Sequence, residues 1–162
     1  MKTVCSLVFA FLLSAATSLQ AELPTKKVLT LGLAKRLVAA EAEAKKPGAT
    51  VVIAVVDDGG QLILLERLDD TQVASVEVAI GKARTAAIFR RPSKEFEDQV
   101  RNGRVAALAL PGATPLQGGI PITVDGKVIG AIGASGNSPQ EDEEIALAGA
   151  ALTPAAVQEE GK

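Results

Sequence analysis

The chain has 162 residues, of which 48% are hydrophobic and 22% charged, with a formal net charge of −2, one Cys, one Met and no His, Trp or Tyr. That length suits one domain, and charges so near balance give no reason to expect nucleic-acid or anionic-membrane partners. Without His, and with its single Cys at position 5, the chain cannot build a Ser-His-Asp or Cys-His nucleophile system or an ordinary nitrogen–sulfur zinc site. Hard metals held by carboxylates remain open, as does chemistry run by Lys, Asp or Glu.

The first 21 residues have the layout of a secretory signal peptide. Lys2 is a short positive region, Val4 to Leu13 (VCSLVFAFLL) an apolar run, and SAATSLQA a small-residue segment with Ala21 before the expected cut. A membrane anchor is the competing reading, but the run is well short of the ~20 residues that span a bilayer. Cleavage predicts a periplasmic or secreted protein without a membrane segment. It would remove Cys5 and Met1 and leave Phe89 and Phe96 as the only aromatics, with no disulfide. The organisation expected is a leader over 1–21, a domain over 22–152 and a flexible tail over 153–162.

Within the domain, Leu33, Ala34, Leu37, Val38 and Ala44 have helical spacing over 30–46, with Thr30 as N-cap and Pro47-Gly48 as the stop. TVVIAVV (50–56) is a β-branched run suited to a strand buried on both faces. DDGG (57–60) is a turn signal, and QLILLERL (61–68) returns as the second strand of a hairpin. Residues 72–90 form a helix with a small-sided stripe at Val76, Ile80, Ala83 and Ala87, widened by Ala79 and Ala86. Ser93 is placed as N-cap of a short helix ending at Asn102-Gly103. VAALALPGATPL (105–116) reads as mixed strand and loop.

The glycine-rich stretch GGIPITVDGKVIGAIGASG (118–136) could be a phosphate loop or a hairpin. The Gly-Lys-Ser/Thr ending of a P-loop is absent, the glycine spacing is not that of a dinucleotide fingerprint, and VIGAI is too apolar for a solvent-facing phosphate cradle. A hairpin turning at Asp125-Gly126, its glycines allowing close packing, is the better reading. Ser138-Pro139-Gln140-Glu141 is a capping box that starts a last helix to about Leu152. Hairpins imply antiparallel pairing, so the fold class is α+β, with one antiparallel sheet of about five strands flanked by helices.

DDGGQLILLERLDD, KARTAAIFRRPS, LPGATPLQGGIPI, DGKVIGAIGASG and EDEEIALAG, in that order over about residues 29–151, resemble the GlcG/HbpS family of haem-binding-type domains, also found at the C-terminus of PduO-like proteins. The resemblance implies a profilin-like fold with a five-stranded antiparallel sheet, and homo-oligomers such as dimers, tetramers or octamers. It also implies haem as the bound cofactor, in some members with a role in haem and redox sensing. Other members are fused to a cobalamin adenosyltransferase or encoded beside glycolate oxidation genes. The chain reads Arg67-Leu68-Asp69-Asp70 where many members read Arg-Met-Asp-Gly. It also lacks the His through which some members hold haem iron. A member thought to use an interfacial Thr makes Thr85 and Thr114 the corresponding candidates.

On this reading, Lys82 and Arg90 would pair haem propionates or a substrate carboxylate, for which guanidinium geometry is well suited; ordinary solvated helix charge is the plainer explanation. Arg67 would face a ligand or pair with Asp69 on the same strand face. The acidic run Glu141 to Glu144 is explained by the dipole of the helix it opens. The first expectation is therefore an exported, homo-oligomeric, non-enzymatic domain binding haem or a similar apolar, carboxylate-bearing small molecule. The alternatives are an enzyme or accessory subunit acting on a small organic acid, or a subunit whose ligand is a partner protein.

Overall fold

The computed structural model describes residues 23–44 and 50–152. The expected leader, the Pro47-Gly48 helix stop and the C-terminal tail lie outside them. Helix α1 (Leu31–Ala44) begins with the Thr30 hydroxyl accepting the Leu33 N–H at 3.1 Å. Strands β1 (Val52–Asp57) and β2 (Leu62–Arg67) form the first hairpin. In its turn the Asp57 carboxylate accepts the N–H groups of Gly59 and Gln61, at 2.9 and 2.8 Å. Helices α2 (Ser75–Phe89) and α3 (Lys94–Arg101) follow, then a short 3-10 helix (Val105–Ala109). The second hairpin pairs β3 (Gly119–Val124) with β4 (Lys127–Ser135), and α4 (Pro139–Ala151) closes the domain.

The sheet order is β2-β1-β4-β3, every neighbouring pair antiparallel. The two hairpins therefore join through their β1 and β4 strands, with Val55 opposite Ile132. Val52 to Val56 are wholly buried, because both faces of β1 are covered. On one face Val51, Ile53 and Val55 pack with Leu33 and Leu37 of α1 and Ile145 of α4. On the other, Val52, Ala54, Val56 and Ala131 meet Ala79, Ala83 and Ala86 of α2. The turn at Asp125-Gly126 has φ of 50° and 72°, the paired left-handed conformation that tight hairpins favour. The capping box at Ser138 and Glu141 is formed in full.

The α+β class stands, with four strands among the described residues where about five were expected. Residues 105–116, read as partly strand, contain no strand, and Pro111 and Pro115 have no N–H to give a ladder. Besides short-range backbone bonds, polar backbone groups in and next to this segment are answered by side chains. The Thr85 hydroxyl accepts the Thr114 N–H at 2.7 Å, the Ser93 hydroxyl donates to the Leu116 carbonyl at 2.6 Å, and Glu97 accepts the Gln117 N–H at 2.5 Å. Ser93 precedes α3 as expected, yet its hydroxyl makes no capping bond to that helix. It accepts the Gly119 N–H at 2.8 Å and so ties the loop to β3.

Candidate functional site

The small-sided face of α2 lets the helix lie almost on the sheet. A Cβ added at Gly133 would come within 2.3 Å of the Ala79 carbonyl oxygen, and one at Gly119 within 2.2 Å of the Lys82 carbonyl oxygen. This approach carries the Lys82 side chain into the interior, where 4% of the residue is exposed. Its Nζ donates to the Ala134 carbonyl at 3.0 Å and to Asp142 Oδ2 at 2.8 Å. Asp142, 3% exposed, also accepts the Asn137 N–H at 3.0 Å. One ion pair thus links α2, the end of β4 and the first turn of α4. Burial pushes the Asp142 carboxyl above its ordinary value, against the opposing pull of Lys82 and of the Asn137 and Gly136 N–H groups.

Beside the pair is a cavity of about 240 Å³, whose lining includes Ser75, Val78, Lys82, Leu116, Gln117 and Ser135. Ser75 is 1% exposed, and its Oγ has no hydrogen-bond partner among the described residues. Gln117 donates from Nε2 to Glu143 at 2.7 Å. Glu97, also at the rim, is paired with Arg101 at 2.6 Å.

The five residues singled out by sequence divide between separate places. Lys82 lines the cavity, with its charge answered inside the chain by Asp142. Thr85, one turn further along α2, is fully buried and donates to the Gly81 carbonyl at 2.7 Å. Thr114 lies against it and over Gly81, so the two threonines do meet, as a clamp between α2 and the loop. Arg67 is exposed, and its guanidinium donates to the Thr71 carbonyl from Nε at 3.1 Å and Nη2 at 2.6 Å. Arg90 ends α2 in the left-handed conformation, φ 56°, with an exposed side chain. Neither arginine lines the cavity.

Ser75, Gln117 and Ser135 escaped the sequence reading, and Asp142 entered it only as one acid of the run that opens α4. For Asp142 a signal existed: Ile145, Ala146 and Gly149 are buried on α4, three, four and seven residues further on, so Asp142 falls on the same helical face. Ser75, Ala79, Lys82 and Ala86 share a buried stripe on α2 in the same way.

Haem does not fit the cavity beside Lys82. The sequence has no imidazole or phenol, and its one Cys and one Met lie outside the described residues. The cavity is also smaller than the roughly 300–1,000 Å³ typical of pockets for larger ligands. Among the described residues no group of three or more His, Cys, Asp or Glu could hold a metal ion.

A family model described as "Haem degrading protein HbpS-like" matches residues 29–151. Protein GlcG of Escherichia coli K12 is 46% identical over 112 residues, covering 68% of this chain and 84% of that protein. Among solved structures, a doubly substituted HbpS of Streptomyces reticuli is 34% identical at a TM-score of 0.74, covering 82% of this chain and 91% of that one. PduOC, solved as a heme complex, is 28% identical at a TM-score of 0.69, covering 77% of this chain and 94% of that one. By sequence along nearly the whole described fold, the chain belongs to the HbpS-like family.

Proposed function

We propose that the protein is an exported, homo-oligomeric, non-enzymatic domain that binds haem, or a similarly apolar carboxylate-bearing molecule, at a junction between copies. The observation that carries this reading is its membership of a family in which a similar chain has been solved with heme. The cavity beside Lys82 offers neither an imidazole, thiolate or phenol for iron nor enough room, so in this reading binding depends on surface apolar contact and on charge pairing with the propionates. Exposed apolar side chains are present at Ile88 on α2 and at Val105 and Leu108 on the 3-10 helix, the last two more than 60% exposed. Leu110 to Thr114 join this helix to α2, Gly112 lying against Ile88 and Thr114 against Thr85. Arg90 supplies the guanidinium in this reading, because its side chain has no ion pair among the described residues, whereas Lys82 is committed to Asp142. Thr85 and Thr114 act by holding the loop in place. The leader over 1–21 supplies export, and haem or redox sensing or storage is the role that follows.

The test is a hemin titration of the purified protein followed at the Soret band. A saturable change at one haem per chain, or one per pair of chains, is expected. Arg90→Ala should weaken it roughly two- to fivefold, the worth of one exposed ion pair. Binding no tighter than that of an unrelated α+β protein would overturn the reading.

A second reading, an enzyme or accessory subunit acting on a small organic acid, is favoured by one observation: Lys82 lies in a cavity beside a carboxyl raised by burial. Of the two substrate anchors open to it, Arg67 is bonded to the Thr71 carbonyl and Arg90 is exposed, and neither lines the cavity.

A further inference from the structure

The cavity beside Lys82 is too small for haem, yet its polar lining is incompletely answered. A buried hydroxyl is normally hydrogen-bonded; the Ser75 Oγ, in a residue 1% exposed, is not. Ser135 and Gln117, both buried, line the same space, and Gln117 directs its Nε2 to Glu143. An ammonium has three N–H donors, and Lys82 directs two of them to Ala134 and Asp142. The free positions around this space are therefore both donors and acceptors.

Charge defines the ligand class further. Lys82 is closed on Asp142 at 2.8 Å, and Glu97 at the rim on Arg101 at 2.6 Å. The two charged side chains of the lining are thus each neutralised within the chain and offer an incoming anion or cation no unpaired charge. Val78 and Leu116 add apolar wall. We propose that this cavity is a binding site for a small uncharged polyol. One ligand hydroxyl would accept from the third N–H of Lys82 and bond Ser75, a second would meet Ser135 or Gln117, and the carbon chain would lie on Val78 and Leu116. This site is independent of haem binding, since haem cannot enter it.

The experiment is an amide-shift map of the isotope-labelled protein titrated with glycerol and erythritol, and in parallel with acetate and lactate. The expected result is a saturable polyol shift centred on Ser75, Lys82, Gln117 and Ser135, with the carboxylates weaker. Ser75→Ala should weaken polyol binding roughly three- to tenfold, the worth of a neutral hydrogen bond, while raising Tm because it removes an unpartnered buried hydroxyl. Gln117→Leu provides a second, separate loss. Three results would overturn the proposal: no saturable shift at these amides, meaning that water alone fills the space; tighter binding of the carboxylates; or unchanged polyol affinity in both variants.

Discussion

Lys82 and Asp142, each with a side chain 4% exposed, form the one ion pair among the described residues that lies wholly inside the fold. Such a pair is weak evidence of net stabilisation, but removing one partner leaves the other charge buried alone, at about 3–5 kcal/mol. Lys82→Met should therefore lose about that much in urea unfolding, and adding Asp142→Leu should recover most of it. The pH dependence follows from the raised Asp142 carboxyl. A carboxyl whose folded pKa lies above its unfolded value holds more protons when folded, so stability falls as pH rises from the unfolded pKa through the folded one. Unfolding free energies measured from about pH 4 upward should decline in wild type and decline more steeply in Lys82→Met, where the opposing pull of the ammonium is gone. Equal slopes in the two proteins would contradict this. The pair was legible in outline, since both residues occupy buried stripes of their helices. The cluster Glu141 to Glu144 concealed it, because three of those four acids do suit a solvated first turn.

At the scale of elements, the alanine face of α2 and the glycines beneath it act as one device. Gly133→Ala would drive a methyl into the Ala79 carbonyl and the Ala83 N–H, both of them backbone atoms that can yield only if the helix moves. A loss of about 1–3 kcal/mol is expected, the usual range for overpacking a core. Gly126→Ala meets open space at φ +72°, so its cost should be only the left-handed strain, about 1–2 kcal/mol. Urea midpoints that ranked Gly126→Ala as clearly the more damaging would refute the close-approach argument. Both hairpins, the four α-helices and the capping box could be read from period and turn chemistry, because each is specified by residues near in sequence. The segment 105–118 could not. Besides short-range backbone bonds, it is held by Thr85, Ser93 and Glu97, whose bonds to it join residues 20 or more positions apart and leave no local pattern.

At the scale of the whole molecule, large apolar side chains stand exposed on the surface. Val105 is 65% exposed and Leu108 61%, on a helix too short to bury them within its own chain. Two large aliphatic side chains left in water, with Ile88 of α2 also exposed, favour association, since burying each is worth about 1.5–3 kcal/mol. Light scattering on the purified protein should therefore give a multiple of the chain mass. Val105→Glu together with Leu108→Glu should raise the dissociation constant at least about tenfold, with the circular dichroism unchanged because neither side chain is part of the core. If a junction between copies also holds haem, the same double variant must lose the saturable Soret change in parallel with its assembly. A monomeric variant that still bound hemin with unchanged affinity and stoichiometry would separate the two properties and place haem on a single chain.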